Sequence, residues 1–405
     1  MNHIVVFRTH RFGDILQTHP LIQGFRETYP QAHITFILDE IYAELMQKSN
    51  LADTVIGIPY ARMFAGIPDQ SLSETQVKTM CEQFMGQLIR RPVDLAINRS
   101  FSNFSALFLK QMSPAKIIGK QYQEYKGFGY DPITARFMQN LIQNRTVEPL
   151  HLADIGCRLA GVEPASPRFQ FYPDKNDETW WKRVHSAQGI GQQDVLIGIQ
   201  MGANKQFRHW GISGFATFIH ELLQDKPDSV HVKFVFFGSR EERTLFQEIV
   251  ALLEKKIPVI NLIGETTFGQ LAIALSHCHA LLTGDTGTMH LATAVETPVL
   301  ALFYASAYYP ETGPYGDGHL VIAPNIECYP CFEPEKCPYQ LACRSQIAVP
   351  AVVTAMRFLL GWDDQPSWFY STLHLFQSKI SSIPCRLTFQ PLRASSAAGY
   401  ASEKY

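Results

Sequence analysis

The chain has 405 residues, of which 46% are hydrophobic and 18% charged, and its formal net charge is -2. That length exceeds what one hydrophobic core usually organises and predicts two domains of ordinary size. Near-neutral charge gives no global attraction to nucleic acid, so nucleic acid is excluded as a partner and any anion binding must be local.

The opening stretch MNHIVVFRTH has an apolar run of only four residues before Arg8, too short for a secretory leader. No apolar segment reaches the length of a membrane span. The best candidate, AVPAVVTAMRFLLGW, is interrupted by Pro350 and Arg357 and reads as an amphipathic helix. A cytoplasmic protein is expected.

In chain order, HIVVF (His3 to Phe7) reads as a buried strand, followed by the polar loop RTHRFGD and a helical pattern with Leu21, Ile22 and Phe25 on one face. Pro20 either kinks that helix or marks its start. HITFIL (His33 to Leu38), VDLAIN (Val93 to Asn98) and AKIIG (Ala115 to Gly119) repeat the unit, which predicts a parallel sheet wrapped by helices. The polar stretch Glu163 to Glu178 breaks the rhythm, and the linker is placed there or near Gly189 to Asp194. VLIGIQ, VKFVFFG, VINLIG, ALLTG and VLALF then restart the alternation, which predicts a second doubly wound α/β domain. The expected domains are 1–185, 190–350, and 351–405 as a C-terminal helix with a flexible tail, RASSAAGYASEKY having the composition of disorder.

Ligands of such sheets bind beyond the carboxyl ends of the strands. Gly284-Asp285-Thr286-Gly287 follows a strand and opens a helix, where unpaired N–H groups suit a phosphate, and His290 lies one turn further on. The same residues also read as a helix cap and a core histidine. A second loop carries Gly202, Ala203 and Asn204, then Lys205, Arg208 and Trp210, a small-residue turn with cations beside it. After VKFVFFG come Glu241 and Glu242, placed to meet ribose hydroxyls or simply to favour a helix N-terminus.

RTHRFGDILQTHPLIQGFRETYP, MGANKQFRHWGISGF, NLIGETTFGQLAIAL, GDTGTMHLATAVETPVLALF and ETGP together resemble the family 9 glycosyltransferases, the ADP-heptose:lipopolysaccharide heptosyltransferases, from about Ile4 to Ile347. The resemblance implies a GT-B fold, two Rossmann-like domains facing a cleft, and an inverting transfer that needs no metal. It implies that Asp14 is the catalytic base and that the N-terminal domain binds the acceptor with Arg8, His10, Arg11 and Gly13 nearby. It further implies that Gly202, Ala203, Asn204, Glu242, Thr266, Asp285, Thr286, Gly287 and His290 lie on the side of the nucleotide-sugar donor, ADP-heptose. Where the family usually has lysine before the tryptophan, this chain reads KQFRHWG, so the cation is Arg208 or, out of register, Lys205. The acceptor implied is a lipopolysaccharide inner core. A protein acceptor, another nucleotide sugar and a catalytically weak nucleotide-sugar-binding protein stay open.

Between Leu88 and Lys126, seven basic residues (Arg90, Arg91, Arg99, Lys110, Lys116, Lys120, Lys126) face two acidic ones, Asp94 and Glu124, a local balance of +5. This fits an anionic, lipid-linked acceptor met at the cytoplasmic face of the inner membrane, with peripheral membrane contact; a spread of solvated lysines reads the same way. Cys328, Cys331, Cys337 and Cys343 form a cluster whose first pair has zinc-like spacing, so structural Zn or Fe stands beside reduced, packed thiols as a reading.

Overall fold

The computed structural model describes residues 1–64, 73–88, 91–143, 145–146, 150–202, 209–254, 257–332, 337–363, 373–380 and 387–391. Contacts divide the chain into two compact units. One comprises Met1–Glu178 with Phe268–Ala272 and Ile380–Leu387; the other comprises Thr179–Thr267, Ile273–Lys379 and Thr388–Tyr405. The division at Glu178 falls inside the helix Lys175–Ala187.

The first unit is built on β1 (His3–Phe7), β2 (His33–Asp39), β3 (Thr54–Ile58), β4 (Leu95–Asn98), β5 (Lys116–Gln123) and β6 (Gly127–Tyr130), in the order β3-β2-β1-β4-β5-β6. The first five run parallel, and β6 folds back antiparallel on β5. Every residue of HIVVF is buried, as a central strand covered on both faces requires. Phe7 packs at 5.2 Å from Phe108 and 6.1 Å from Phe104, both on the helix Asn103–Gln111. Because β1 has β2 on one side and β4 on the other, the chain reverses direction across the sheet there. The loops after β1 and β4 diverge at that point, the place where such sheets bind ligands. Pro20 marks a start and not a kink: the helix runs His19–Thr28 with the proline in its first turn, where its missing N–H costs nothing.

The second unit contains β7 (Asp194–Gln200), β8 (His231–Phe237), β9 (Val259–Asn261), β10 (Ala280–Thr283), β11 (Val299–Leu302), β12 (Leu320–Pro324), β13 (Leu373–Ile380) and β14 (Leu387–Pro391). Their order is β14-β13-β12-β11-β10-β7-β8-β9, parallel from β12 through β9, with β13 antiparallel to β12. Its reversal point lies between β7 and β10. The three strands from β12 to β14 go beyond the five that the sequence pattern lists. The pattern also places a helix at Val352 to Trp362. The helix is Val349–Leu359, and it packs on the helix Ile212–Asp225, with Val352, Ala355 and Met356 wholly buried in the core of the second unit. The tail 393–405 lies outside the described residues. Among the described residues, no helix is long and apolar enough to cross a membrane.

Candidate functional site

Two groups of side chains occupy the reversal points, one in each unit. In the first, β1 runs into Arg8, Thr9, His10 and Arg11, and the helix Phe12–Leu16 places Asp14 in its opening turn. Arg11 precedes that helix with φ 62°, a conformation non-glycine residues rarely take, so the turn is held by its surroundings. The surroundings are the loop after β4. Thr9 N donates to Ser100 Oγ at 3.0 Å, and Thr9 Oγ1 lies 3.1 Å from the same oxygen. Arg8 forms an ion pair with Asp14 and donates a second bond to the carbonyl oxygen of Arg99. Asp14 keeps 20% of its side chain exposed while anchored by this pair.

Arg99 donates to the Leu152 carbonyl at 3.1 Å, and burial, with the charge of Arg8 beside it, pushes its pKa down to about 10. It remains a cation at neutral pH. His10 packs edge-on against Tyr60 at 4.4 Å; burial and the neighbouring Arg8 charge lower its pKa. Of the residues expected on this side, Arg8 and Asp14 are joined directly, whereas His10, Arg11 and Gly13 share the loop and helix start beside the pair. Ser100 was missed by the sequence reading, and its only signal is its place after a strand that neighbours β1.

In the second unit, Thr286 caps the helix Gly287–Ala294, accepting from Met289 N at 3.3 Å, and lies 3.0 Å from the Thr283 hydroxyl. The first-turn N–H groups of such a helix have no acceptor within it, and they stand where an anion can be held. His290 is buried on the same helix, and Asp285 is half-buried in the preceding loop. The cap and core readings of Thr286 and His290 therefore describe their structural roles.

The loops around β7 are tied by side chains. Thr288 Oγ1 donates to Gln200 Oε1 at 2.9 Å, Gln200 Nε2 donates to Glu242 Oε1 at 3.0 Å, and Glu242 Oε2 accepts from Ser239 N at 2.6 Å. Ser239 and Glu242 form a capping box, so the helix-start reading of this glutamate holds structurally too. Gly202 lies against this carboxylate: a Cβ there would stand 1.4 Å from Glu242 Oε1. Gln200 was missed by the sequence reading, although a buried polar residue ending an apolar strand is a usable signal. Thr266 sits half-buried in the loop after β9, the edge strand, apart from this chain of bonds. Ala203, Asn204, Lys205 and Arg208 lie outside the described residues. Trp210, which follows them, is buried and donates from its indole to the Ile347 carbonyl at 3.0 Å.

The four clustered cysteines are thiols and not disulfides. Burial, reinforced by the neighbouring cysteines, raises the pKa of Cys328 and Cys343. Among the described residues, no group of three or more His, Cys, Asp or Glu side chains is placed to hold a metal ion. The expectation of structural Zn or Fe at Cys328, Cys331, Cys337 and Cys343 is therefore without support, and spacing alone suggested what side-chain geometry does not provide.

Residues 164–341 match the model of glycosyltransferase family 9 (heptosyltransferase). Lipopolysaccharide heptosyltransferase 3 of Escherichia coli K12 is 26% identical over 299 residues, 73% of this chain and 80% of the relative. The chain thus resembles glycosyltransferase family 9 over residues 164–341. It is also 22% identical over 314 residues to lipooligosaccharide heptosyltransferase 2 of Haemophilus influenzae, covering 74% of this chain and 83% of that one. In fold, it superposes on a family 9 glycosyl transferase from Veillonella parvula with a TM-score of 0.72 at 21% identity, over 89% of this chain and 98% of that one. With E. coli ADP-heptose lipopolysaccharide heptosyltransferase II the TM-score is 0.63 at 19% identity, over 89% and 99%. Its two doubly wound units are the pair of Rossmann-like domains of the GT-B class.

Proposed function

We propose that this protein is a family 9 glycosyltransferase that moves a heptose from ADP-heptose to an inner-core acceptor of lipopolysaccharide, with inversion at the anomeric carbon and no metal in the chemistry. The observation that carries the reading is similarity over about three-quarters of the chain to lipopolysaccharide and lipooligosaccharide heptosyltransferases. In this reading the domains are an acceptor-binding one over 1–185, a donor-binding one over 190–350, and a C-terminal extension over 351–405.

The acceptor hydroxyl attacks the anomeric carbon, a new C–O bond forms, and the bond from that carbon to the diphosphate oxygen breaks. Asp14 takes the hydroxyl proton and ADP leaves with the electron pair. Arg8 orients Asp14 and, with His10, Arg11 and Gly13, meets the acceptor. Negative charge grows on the leaving diphosphate, and fixed N–H donors at the helix start by Thr286 and Gly287 stabilise it without reorganising. The cation on the Gly202 to Arg208 stretch adds to that stabilisation. Glu242 accepts from the ribose hydroxyls, while Asp285, His290 and Thr266 complete the donor side. The acceptor is lipid-linked, which puts the reaction at the cytoplasmic face of the inner membrane.

The test is mass spectrometry of products from purified protein, ADP-heptose and a panel of truncated core acceptors, with Asp14→Asn alongside. Transfer by the wild type, lost by about 10²-fold or more in Asp14→Asn with ADP binding retained, supports the reading. Clear ADP binding without transfer to any acceptor overturns it.

A further inference from the structure

We infer that Gln200 is a positioning residue for the donor: its amide holds the Glu242 carboxylate where a ribose hydroxyl meets it, and ties that carboxylate to the helix that starts at Gly287. Gln200 is the last residue of β7, at the point where the sheet reverses between β7 and β10, and only 5% of it is exposed. Its amide works in two directions. Oε1 accepts from the Thr288 hydroxyl at 2.9 Å, while Nε2 donates to Glu242 Oε1 at 3.0 Å and Oε2 at 3.3 Å. Thr288 is the second residue of the helix Gly287–Ala294, so the amide reaches the turn whose N–H groups suit a diphosphate.

The carboxylate lies in a slot with little room to spare. A Cβ on Gly202 would stand 1.4 Å from Glu242 Oε1, and one on Gly238 would stand 2.8 Å from Oε2, so two bare backbone positions wall it in. Ser239 N donates to Oε2 at 2.6 Å. A carboxylate has about four acceptor positions, so these two donors leave capacity for a ligand hydroxyl. An amide suits position 200 because it stays neutral, donates to the carboxylate with one atom and accepts from the hydroxyl with the other. A carboxylate there would set like charge against like where Nε2 now donates. An aliphatic chain would leave the buried Thr288 hydroxyl and Glu242 without this partner. In either case Glu242 keeps its charge and loses the direction that Gln200 gives it.

The inference rests on the proposed function in one respect, that Glu242 accepts from the ribose of the donor nucleotide. Isothermal titration with ADP, 2′-deoxy-ADP and 3′-deoxy-ADP tests it without any acceptor or transfer. The proteins compared are the wild type, Gln200→Leu, Gln200→Glu, Glu242→Ala and the double variant Gln200→Leu with Glu242→Ala, each checked for folding by a thermal melt. Leucine is close to glutamine in size, and glutamate is nearly isosteric and keeps an acceptor for Thr288, so one variant stays informative should the other not fold.

The wild type is expected to bind ADP at least about tenfold more tightly than one of the deoxy analogues, the scale of a hydrogen bond to a charged group. In both Gln200 variants that ratio should fall to within about twofold of one, and the double variant should lose less than the two single losses combined, because the residues act as a unit. An equal loss for all three nucleotides, with the ratio kept, would mark Gln200 as merely structural and overturn the inference. So would full additivity in the double variant. A ratio kept in the Gln200 variants but lost in Glu242→Ala would overturn the inference and leave the ribose contact standing. A wild type that binds no ADP, or binds all three nucleotides alike, would remove the ribose contact and the inference together. Discrimination that the Gln200 variants lose, in a protein that transfers no heptose, would uphold the positioning role and remove the proposed reaction.

Discussion

Arg8 pairs with Asp14 and, through another guanidinium nitrogen, with the carbonyl oxygen of Arg99. One planar side chain thus fixes the carboxylate relative to the loop after β4, which an ammonium cannot do with the same fork. Arg8→Lys is expected to retain fold and ADP affinity while lowering kcat by up to about 100-fold, the scale of a misplaced catalytic group. Added guanidinium should partly restore an Arg8→Ala variant. A full-rate Arg8→Lys enzyme would show that the orientation of Asp14 does not matter.

Gly202 approaches Glu242 so closely that any side chain must push the carboxylate away. Gly202→Ala should therefore break the Gln200–Glu242 bond and weaken ADP binding roughly tenfold or more, as losing a hydrogen bond to a charged group does. Isothermal titration with ADP reads this directly. Unchanged affinity would place Glu242 away from the nucleotide.

His19 is wholly buried, its Nδ1 accepting from Gln170 N at 3.2 Å, and burial pushes its pKa down to about 3. The folded state holds it neutral, whereas the unfolded chain protonates it below about 6.5. Its contribution to stability is complete above that pH and is lost as pH falls from about 6.5 toward 3. His19→Gln keeps an acceptor without the titration, so thermal melts from pH 6.5 to 4 should fall less steeply than those of the wild type. Parallel slopes would assign the acid sensitivity to other groups.

Trp210 joins the end of its loop to Ile347 through the indole N–H. Trp210→Phe keeps most of the packing against Phe215 and Phe218 but strands a buried carbonyl. A loss of about 1–2 kcal/mol is expected, a fall of a few degrees in Tm by calorimetry. No shift would mean that water replaces the indole.

Much of this was legible in the chain because HIVVF, VLIGIQ and ALLTG are apolar runs with polar or glycine-bearing loops after them, and such runs become central strands. TVIGI and LVIAP were passed over, one half-buried at a sheet edge and the other following an irregular stretch. Asp14 and Thr286 could be placed at helix starts, since capping is local chemistry. The Thr288–Gln200–Glu242 bonds could not, because they depend on loops brought side by side by strand order.

The antiparallel strand β13 lies along β12, pairing Leu320 with Gln377 through to Pro324 with Leu373. Without it, β12 would end the sheet as an open border of five fully buried-type residues offering unpaired N–H and C=O groups to any passing chain. The late segment thus acts as a self-supplied seal against strand addition. Shortening the protein just after Leu359 should leave a species that self-associates and precipitates while the loops after β7 and β10 keep their bonds.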